Sequence, residues 1–281
     1  MKVETHRLKV GELDCVSLND GYHNYKVERF FADAPPDQVK DKLKARGQPT
    51  NHIPSPYACL YVDTGDHKAL VDTGAGNLFP TTGGLPKALQ KEGIDNKEID
   101  TVIITHAHGD HFSGLLTEDG ERFFPNANIY VWKRERDFWF TPDAYIKFPN
   151  KKAVDTYRMT FEALDQHTVY VEPDCKVVPG ITVLDARGHT PGHMAVMVSS
   201  MDEYLMYISD TVFHPLHLEH PEWLPAPLFI NDLEDYVKSR QRVFDLAAKK
   251  NALVLAMHFN PFPCLGHVTK EGESWRWLPI E

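Results

Sequence analysis

The sequence predicts an α/β fold in which sheets are covered by helices. Three observations carry this. "DTVIIT" (100–105) is a continuous, β-branched apolar run, as a strand buried on both faces requires. "ACLYVDTGDHKALVDTG" (58–74) is two apolar runs joined by T-G-D, the pattern of a hairpin. "DLEDYVKSRQRVFDLAAKKN" (232–251) is an amphipathic helix with Leu233, Val237, Phe244 and Ala247 on or near one face.

The other elements follow in chain order. Strand patterns open the chain at about 8–18. "ADAPPDQVKDKLKARG" reads as a helix that starts near Asp33 or Asp37 and stops at Gly47. After the hairpin, "LPKALQKEGI" reads as a helix ending at Gly93. "ANIYVW" continues the sheet beyond "DTVIIT", and residues 151–165 are weakly helical. Strands are expected at about 169–178, 181–186, 194–199 and 204–208. The proline-rich stretch "HPLHLEHPEWLPAP" (214–227) reads as a long loop, of the length that borders functional sites. "ALVLAM" after the amphipathic helix reads as the final buried strand. No repeat and no break in composition divides the chain, so one domain is expected over residues 1–281.

Composition removes several classes of function. The 281 residues carry a net charge of −10, which disfavours nucleic acid and anionic lipid as partners. The start, "MKVETHRLKVG", has no apolar core of a secretory signal, and no run is long and apolar enough to span a bilayer. Cys15, Cys59, Cys175 and Cys264 are scattered, without a C-x-x-C pair, so neither a disulfide framework nor a thiolate metal site is expected. A cytoplasmic setting fits these features.

"THAHGDHFSG" (105–114) crowds His106, His108, Asp110 and His111 into six positions where a buried strand gives way to a helix. Extended backbone sends His106 and His108 to the same side. A helix N-terminus disfavours imidazolium, which keeps His111 neutral and able to bind metal. Further candidates also follow apolar runs. His189 and His193 follow "ITVLDA", Asp210 follows "YLMYIS", and His258 follows "LVLAM". The ends of buried strands are where α/β folds build their sites. Imidazole and carboxylate donors without thiolate suit zinc, and also iron, manganese or cobalt.

In this order, Asp72 in "LVDTG", "THAHGDH", "GHTPGH", Asp210 in "ISD" and His258 in "AMHF", the chain resembles the metallo-β-lactamase superfamily. The resemblance covers about residues 57–260. It implies an αβ/βα four-layer sandwich with two divalent metal ions at one edge, zinc first among them. By that pattern His106, His108 and His193 would hold one metal. Asp110, His111 and His258 would hold the other, and Asp210 would bridge them. Asp72 resembles the carboxylate that orients a ligand histidine, while His189 has no ligand role and reads as structural.

Departures from the pattern narrow the branch. Class B β-lactamases that use two zincs generally place cysteine where this chain has Asp210. Flavodiiron proteins replace the second histidine, here His108, with glutamate. RNA-processing members favour a basic surface, and glyoxalase II enzymes need a longer segment after His258. "SLNDGYHNY", "FHPLHLEHPEW" and "HFNPFPCLGHV" are similar to the lactonase and methyl-parathion-hydrolase-like branch. Phe213 stands where known acyl-homoserine lactonases often carry a tyrosine, so the direct analogue of that proton donor is absent.

The expected activity is therefore hydrolysis of an ester-like bond, as a lactonase or arylesterase. Asp110, Asp210 and His267 are the expected catalytic residues. Asp210 would hold and pass on the proton of the attacking hydroxide, and His267 would face the site. A phosphotriesterase would use the same site. A mononuclear iron persulfide dioxygenase and a non-catalytic metal-binding sensor are the alternatives from other classes. The expected partner is a small, neutral, largely apolar substrate, without nucleic acid or membrane, and a homodimer is left open. Aromatic residues are expected to line the pocket, with Trp132 and Trp223 the first candidates.

Overall fold

The computed structural model describes residues 3–148 and 150–280. Two seven-stranded sheets face each other. The first is β1 (Thr5–Val10), β2 (Leu13–Tyr25), β3 (Ile53–Asp63), β4 (Lys68–Val71), β5 (Thr101–Ile103), β6 (Asn128–Trp132) and β7 (Thr168–Val171), in chain order. The second is formed by β8 (Cys175–Val178), β9 (Ile181–Asp185), β10 (Met194–Ser200), β11 (Glu203–Tyr207), β12 (Leu253–Leu255), β13 (Leu265–Glu271) and β14 (Ser274–Pro279), again each beside the next.

Nine α-helical segments are found among the described residues. They are α1 (Val27–Phe30), α2 (Pro36–Ala45), α3 (Leu85–Glu92), α4 (Gly109–Phe112), α5 (Lys133–Trp139), α6 (Asp143–Lys147), α7 (Lys151–Ala163), α8 (Leu216–Glu219) and α9 (Leu233–Lys250). The inner faces of the sheets share one apolar core, with Leu60, Val71 and Ile103 meeting Val183, Val196 and Leu255. Leu85, Leu89, Val154 and Phe161 bring α3 and α7 onto the outer face of the first sheet. Val243, Phe244 and Ala247 bring α9 onto the outer face of the second. Helix, sheet, sheet, helix is the expected αβ/βα sandwich.

Local chemistry explains the boundaries. Gly93 ends α3 in a left-handed conformation, and Asp232 caps α9 by accepting from the Asp235 amide. The α9 core face is Tyr236, Arg240, Val243, Phe244 and Ala247, whereas Leu233 and Val237, expected on that face, are exposed. The expected strand at 169–178 is two strands, because β7 completes the first sheet and β8 starts the second. "ALVLAM" is not the last strand. β13 and β14 follow it, with polar residues facing out.

The parallel pairs β4–β5 and β11–β12 set the position of the site. Their C-terminal ends lie along one edge of the sandwich. β3 runs antiparallel to β4, and β2 to β3, so the start of β3 and the end of β2 reach the same edge.

Candidate metal centre

Asp72 and the candidate donors lie on segments that leave strand ends at this edge. Asp72 follows β4, residues 106–111 follow β5, His189 lies between β9 and β10, Asp210 follows β11 and His258 follows β12.

Three imidazole nitrogens converge. His106 Nε2 is 3.0 Å from His108 Nδ1, and His189 Nε2 is 3.2 Å and 2.8 Å from them. Lone pairs repel at such distances unless something positive sits between them. A tetrahedral ion bound at about 2.0–2.1 Å would separate its ligand atoms by roughly 3.3 Å, close to the observed triangle. Asp110, His111 and His258 form a second group of donors.

Asp210 lies between the two groups. Its Oδ2 is 3.2 Å from His189 Nε2 and 3.8 Å from His106 Nε2. Its Oδ1 is 3.1 Å from His258 Nε2 and 3.3 Å from His111 Nε2. Asp110 stands 3.8 Å from both His111 Nε2 and His258 Nε2. His111 Nε2 and Asp210 Oδ1 are buried without a hydrogen bond. Such orphaned atoms are costly unless an ion satisfies them, so the donor set fits a pair of metal ions.

Electrostatics differ between the groups. Burial holds His106 and His108 well below the usual imidazole range, so both are neutral donors. Burial acts the same way on His111 and His258, but Asp210 outweighs it and raises both. Burial would raise Asp210, yet His111, His258 and His189 hold it well below the carboxylate range.

A set of acceptors orients these imidazoles. Asp72 Oδ2 takes His111 Nδ1–H at 2.8 Å, and Asp72 also accepts from the Thr105 amide, the Thr105 hydroxyl and the Tyr207 hydroxyl. His258 Nδ1 donates to the Pro56 carbonyl at 3.1 Å, and His189 Nδ1 to the Phe229 carbonyl at 2.6 Å.

The structure exchanges the two histidines of "GHTPGH". His189, read from sequence as structural, stands among the donors, and His193, read as a ligand, does not. His193 Nδ1 donates to the Ala186 carbonyl at 2.8 Å, and its Nε2 accepts from the Asp210 amide at 3.1 Å. Both nitrogens are committed to protein atoms, and burial lowers this imidazole to about 3. Its role is to hold the backbone of Asp210.

Glu135 carried no signal in the sequence, where it lies in a run of charged residues. It is fully buried under the site. Oε1 accepts from the Ala107 amide and the Trp139 indole, and Oε2 from the Thr190 hydroxyl and the Gly192 amide. One carboxylate thus joins the loop of His106 and His108 to the loop of His189.

A cavity of about 310 Å³ opens over the donors, lined by Tyr25, Phe30, Phe79, Phe148, Phe213, Leu228 and Phe229, with His108, Asp110, Asp210 and His258 at its base. The expected pocket tryptophans are elsewhere. Trp132 donates to Glu172, and Trp223 packs against Phe31 and His220. His267 is also outside the cavity. It lies on β13 opposite Leu278 and is not among the described lining residues. The stretch 214–227, expected as a long loop bordering the site, contains α8 and contributes none of the described lining residues; its flanks Phe213, Leu228 and Phe229 line the cavity instead.

A family model described as the metallo-beta-lactamase superfamily matches residues 52–258. The N-acyl homoserine lactonase AttM of Azorhizobium caulinodans is 27% identical over 59% of this chain, a match spanning 60% of that relative's length. Among solved structures, AidC, described as a dizinc quorum-quenching lactonase, superposes with a TM-score of 0.91 at 27% identity, covering 99% of this chain and 98% of its own. The hydrolase AbOPH superposes with a TM-score of 0.89 at 26% identity, covering 100% and 99%.

Proposed function

We propose that this chain, which belongs to the metallo-beta-lactamase superfamily, is a dinuclear metal-dependent hydrolase of neutral esters, acting on lactones and aryl esters. The observation that carries this reading is Asp210, which turns one carboxylate oxygen to each group of donors. His106, His108 and His189 would hold one ion and Asp110, His111 and His258 the other. Two bound ions, zinc first among those suited to these donors, would polarise the ester carbonyl and supply a hydroxide near neutral pH.

The protein's own groups do the rest. Asp110 and Asp210 lie at the base of the cavity, where a carboxylate can hold and pass on the proton of the attacking hydroxide. The aromatic walls exclude water and take an apolar acyl or aryl group. Among the described lining residues there is no lysine or arginine. Beyond the bound ions, an anionic substrate would find no side-chain counter-charge there, whereas a neutral lactone needs none.

The same lack of cationic side chains suits a neutral phosphotriester, which is the second reading. Metal analysis of protein purified without chelator should give two ions per chain. Lactone turnover should exceed turnover of paraoxon-type triesters in kcat/KM. A single iron with oxygen uptake would overturn the reading in favour of a dioxygenase, and silence across lactones and aryl esters would overturn it outright.

A further inference from the structure

Tyr25 ends β2, and its ring lines the cavity above Asp110, Asp210 and His258. Its hydroxyl lies 2.6 Å from that of Tyr57 on β3. Two phenols that share one hydrogen bond own two protons, and only one can lie between them. The burial of Tyr57 decides which. Its side chain is fully buried, and its ring stands edge-on to His258 with centroids 5.4 Å apart. Among the described residues the Tyr25 oxygen is its hydroxyl's one hydrogen-bond partner. Turned elsewhere, the Tyr57 proton would be a buried donor without an acceptor, at a cost of about 1–3 kcal/mol. Tyr57 therefore donates and Tyr25 accepts. The proton of Tyr25 is left to point into the cavity.

We propose that Tyr25 is a catalytic residue that donates a hydrogen bond to the carbonyl oxygen of the bound ester, and that Tyr57 is the positioning residue that fixes the direction of that donation. This rests on the ester-hydrolase reading above. Tyr25 carries the sole hydroxyl among the described lining residues, beside walls that are otherwise mostly aromatic. Burial, with Asp110 and Asp210 nearby, pushes its hydroxyl well above the usual phenol range. It therefore keeps its proton and acts as a donor throughout. Hydroxide forms the new bond to the carbonyl carbon, and the displaced electron pair gathers on the oxygen that Tyr25 faces. The pair returns as the ester C–O bond breaks. The departing alkoxide leaves with the proton the hydroxide brought, giving a carboxylate and an alcohol, and Tyr25 ends as it began.

The test uses the metal-loaded enzyme, γ-nonalactone as substrate and its lactam counterpart as an unreactive probe. Tyr25→Phe should lower kcat on the lactone by about 10- to 100-fold, with KM within about threefold, as expected for a donor that acts mainly on developing charge. The infrared carbonyl stretch of the bound lactam should move to higher frequency. Tyr57→Phe should lower kcat by about three- to tenfold and move the stretch the same way, by less. Metal content should stay unchanged in both. A Tyr25→Phe enzyme within twofold of the parent, with an unmoved stretch, overturns the proposal. If that variant fails to fold, an unchanged kcat and stretch in Tyr57→Phe overturn it instead. Should the parent hydrolyse neither lactones nor aryl esters, the ester-hydrolase reading fails, while the lactam stretch still reports whether Tyr25 meets a carbonyl.

Discussion

The Gly192 amide donates to Glu135 Oε2 at 2.7 Å, and a Cβ on Gly192 would stand 2.4 Å from the Glu135 backbone nitrogen. The two loops that carry His106, His108 and His189 thus meet around one buried carboxylate, at a contact too close for any side chain.

Glu135→Ala should be among the most damaging changes outside the donors. It strands four buried hydrogen-bond donors, each costing about 1–3 kcal/mol when left unpaired, less whatever relaxation recovers. Thermal denaturation should show a loss of several kcal/mol, and zinc titration a weaker first site. Glu135→Gln keeps the volume but turns an amide NH2 toward a donor, so a smaller loss is expected.

Gly192→Ala tests the close approach from the other side. The backbone of α5 must shift to admit the methyl group, which separates the loops without removing any hydrogen-bonding group. Reduced metal affinity with a lowered Tm is the expected result, and a neutral variant would show that the contact is slack.

His189→Ala and His193→Ala should part company. The first should lose one of the two ions and with it hydrolysis. The second should retain both ions but lose stability, by about 1–3 kcal/mol, because the Asp210 amide and the Ala186 carbonyl lose their partner. Metal stoichiometry on the purified variants separates them. Retention of both ions by His189→Ala would return the ligand role to His193.

Tyr207→Phe removes a hydroxyl that donates to Asp72 Oδ2 at 3.0 Å. Asp72 keeps its bonds to Thr105 and His111, so the fold should survive. Support for a ligand histidine is weakened, and metal affinity should fall by up to about tenfold, at the low end for changes to such outer groups. Competition against a chromophoric chelator measures it.

Acid should loosen the wall of the cavity. His217 is fully buried and neutral, with Nε2 donating to the Phe30 carbonyl and Nδ1 accepting from the Phe213 amide. Burial lowers it to about 3, against roughly 6.5 in an unfolded chain. Between those values the unfolded chain binds a proton that the fold refuses. Stability from this group is therefore complete above about pH 6.5 and is lost as the pH falls toward 3, by a few kcal/mol in all. His214, also lowered by burial, adds in the same direction. His217→Gln should flatten the acid limb of a denaturation profile.

Much of the site is legible in the sequence because each donor follows an apolar strand at short range. His106, His108, Asp110, His111, Asp210 and His258 need only that rule, and they come together. "GHTPGH" defeats it, since two histidines four apart in a turn both satisfy the pattern, and only the path of the chain into β10 commits His193 inward. Glu135 is hidden for another reason: a charged residue in a polar helix looks solvated until two loops close over it. Tyr25 and Tyr57 meet through their hydroxyls across β2 and β3, 32 residues apart, which no local spacing announces. β13 and β14 escape because their exposed polar residues dilute the apolar signal.

Phe229 has two separate duties. Its ring helps line the cavity, while its carbonyl receives the proton of His189. An engineer reshaping this enzyme for bulkier or slimmer acyl groups can exchange the ring freely. The peptide unit beneath it is not negotiable, since an insertion or a graft that moved that oxygen would let the imidazole swing, and a change aimed at substrate preference would surface as a loss of metal.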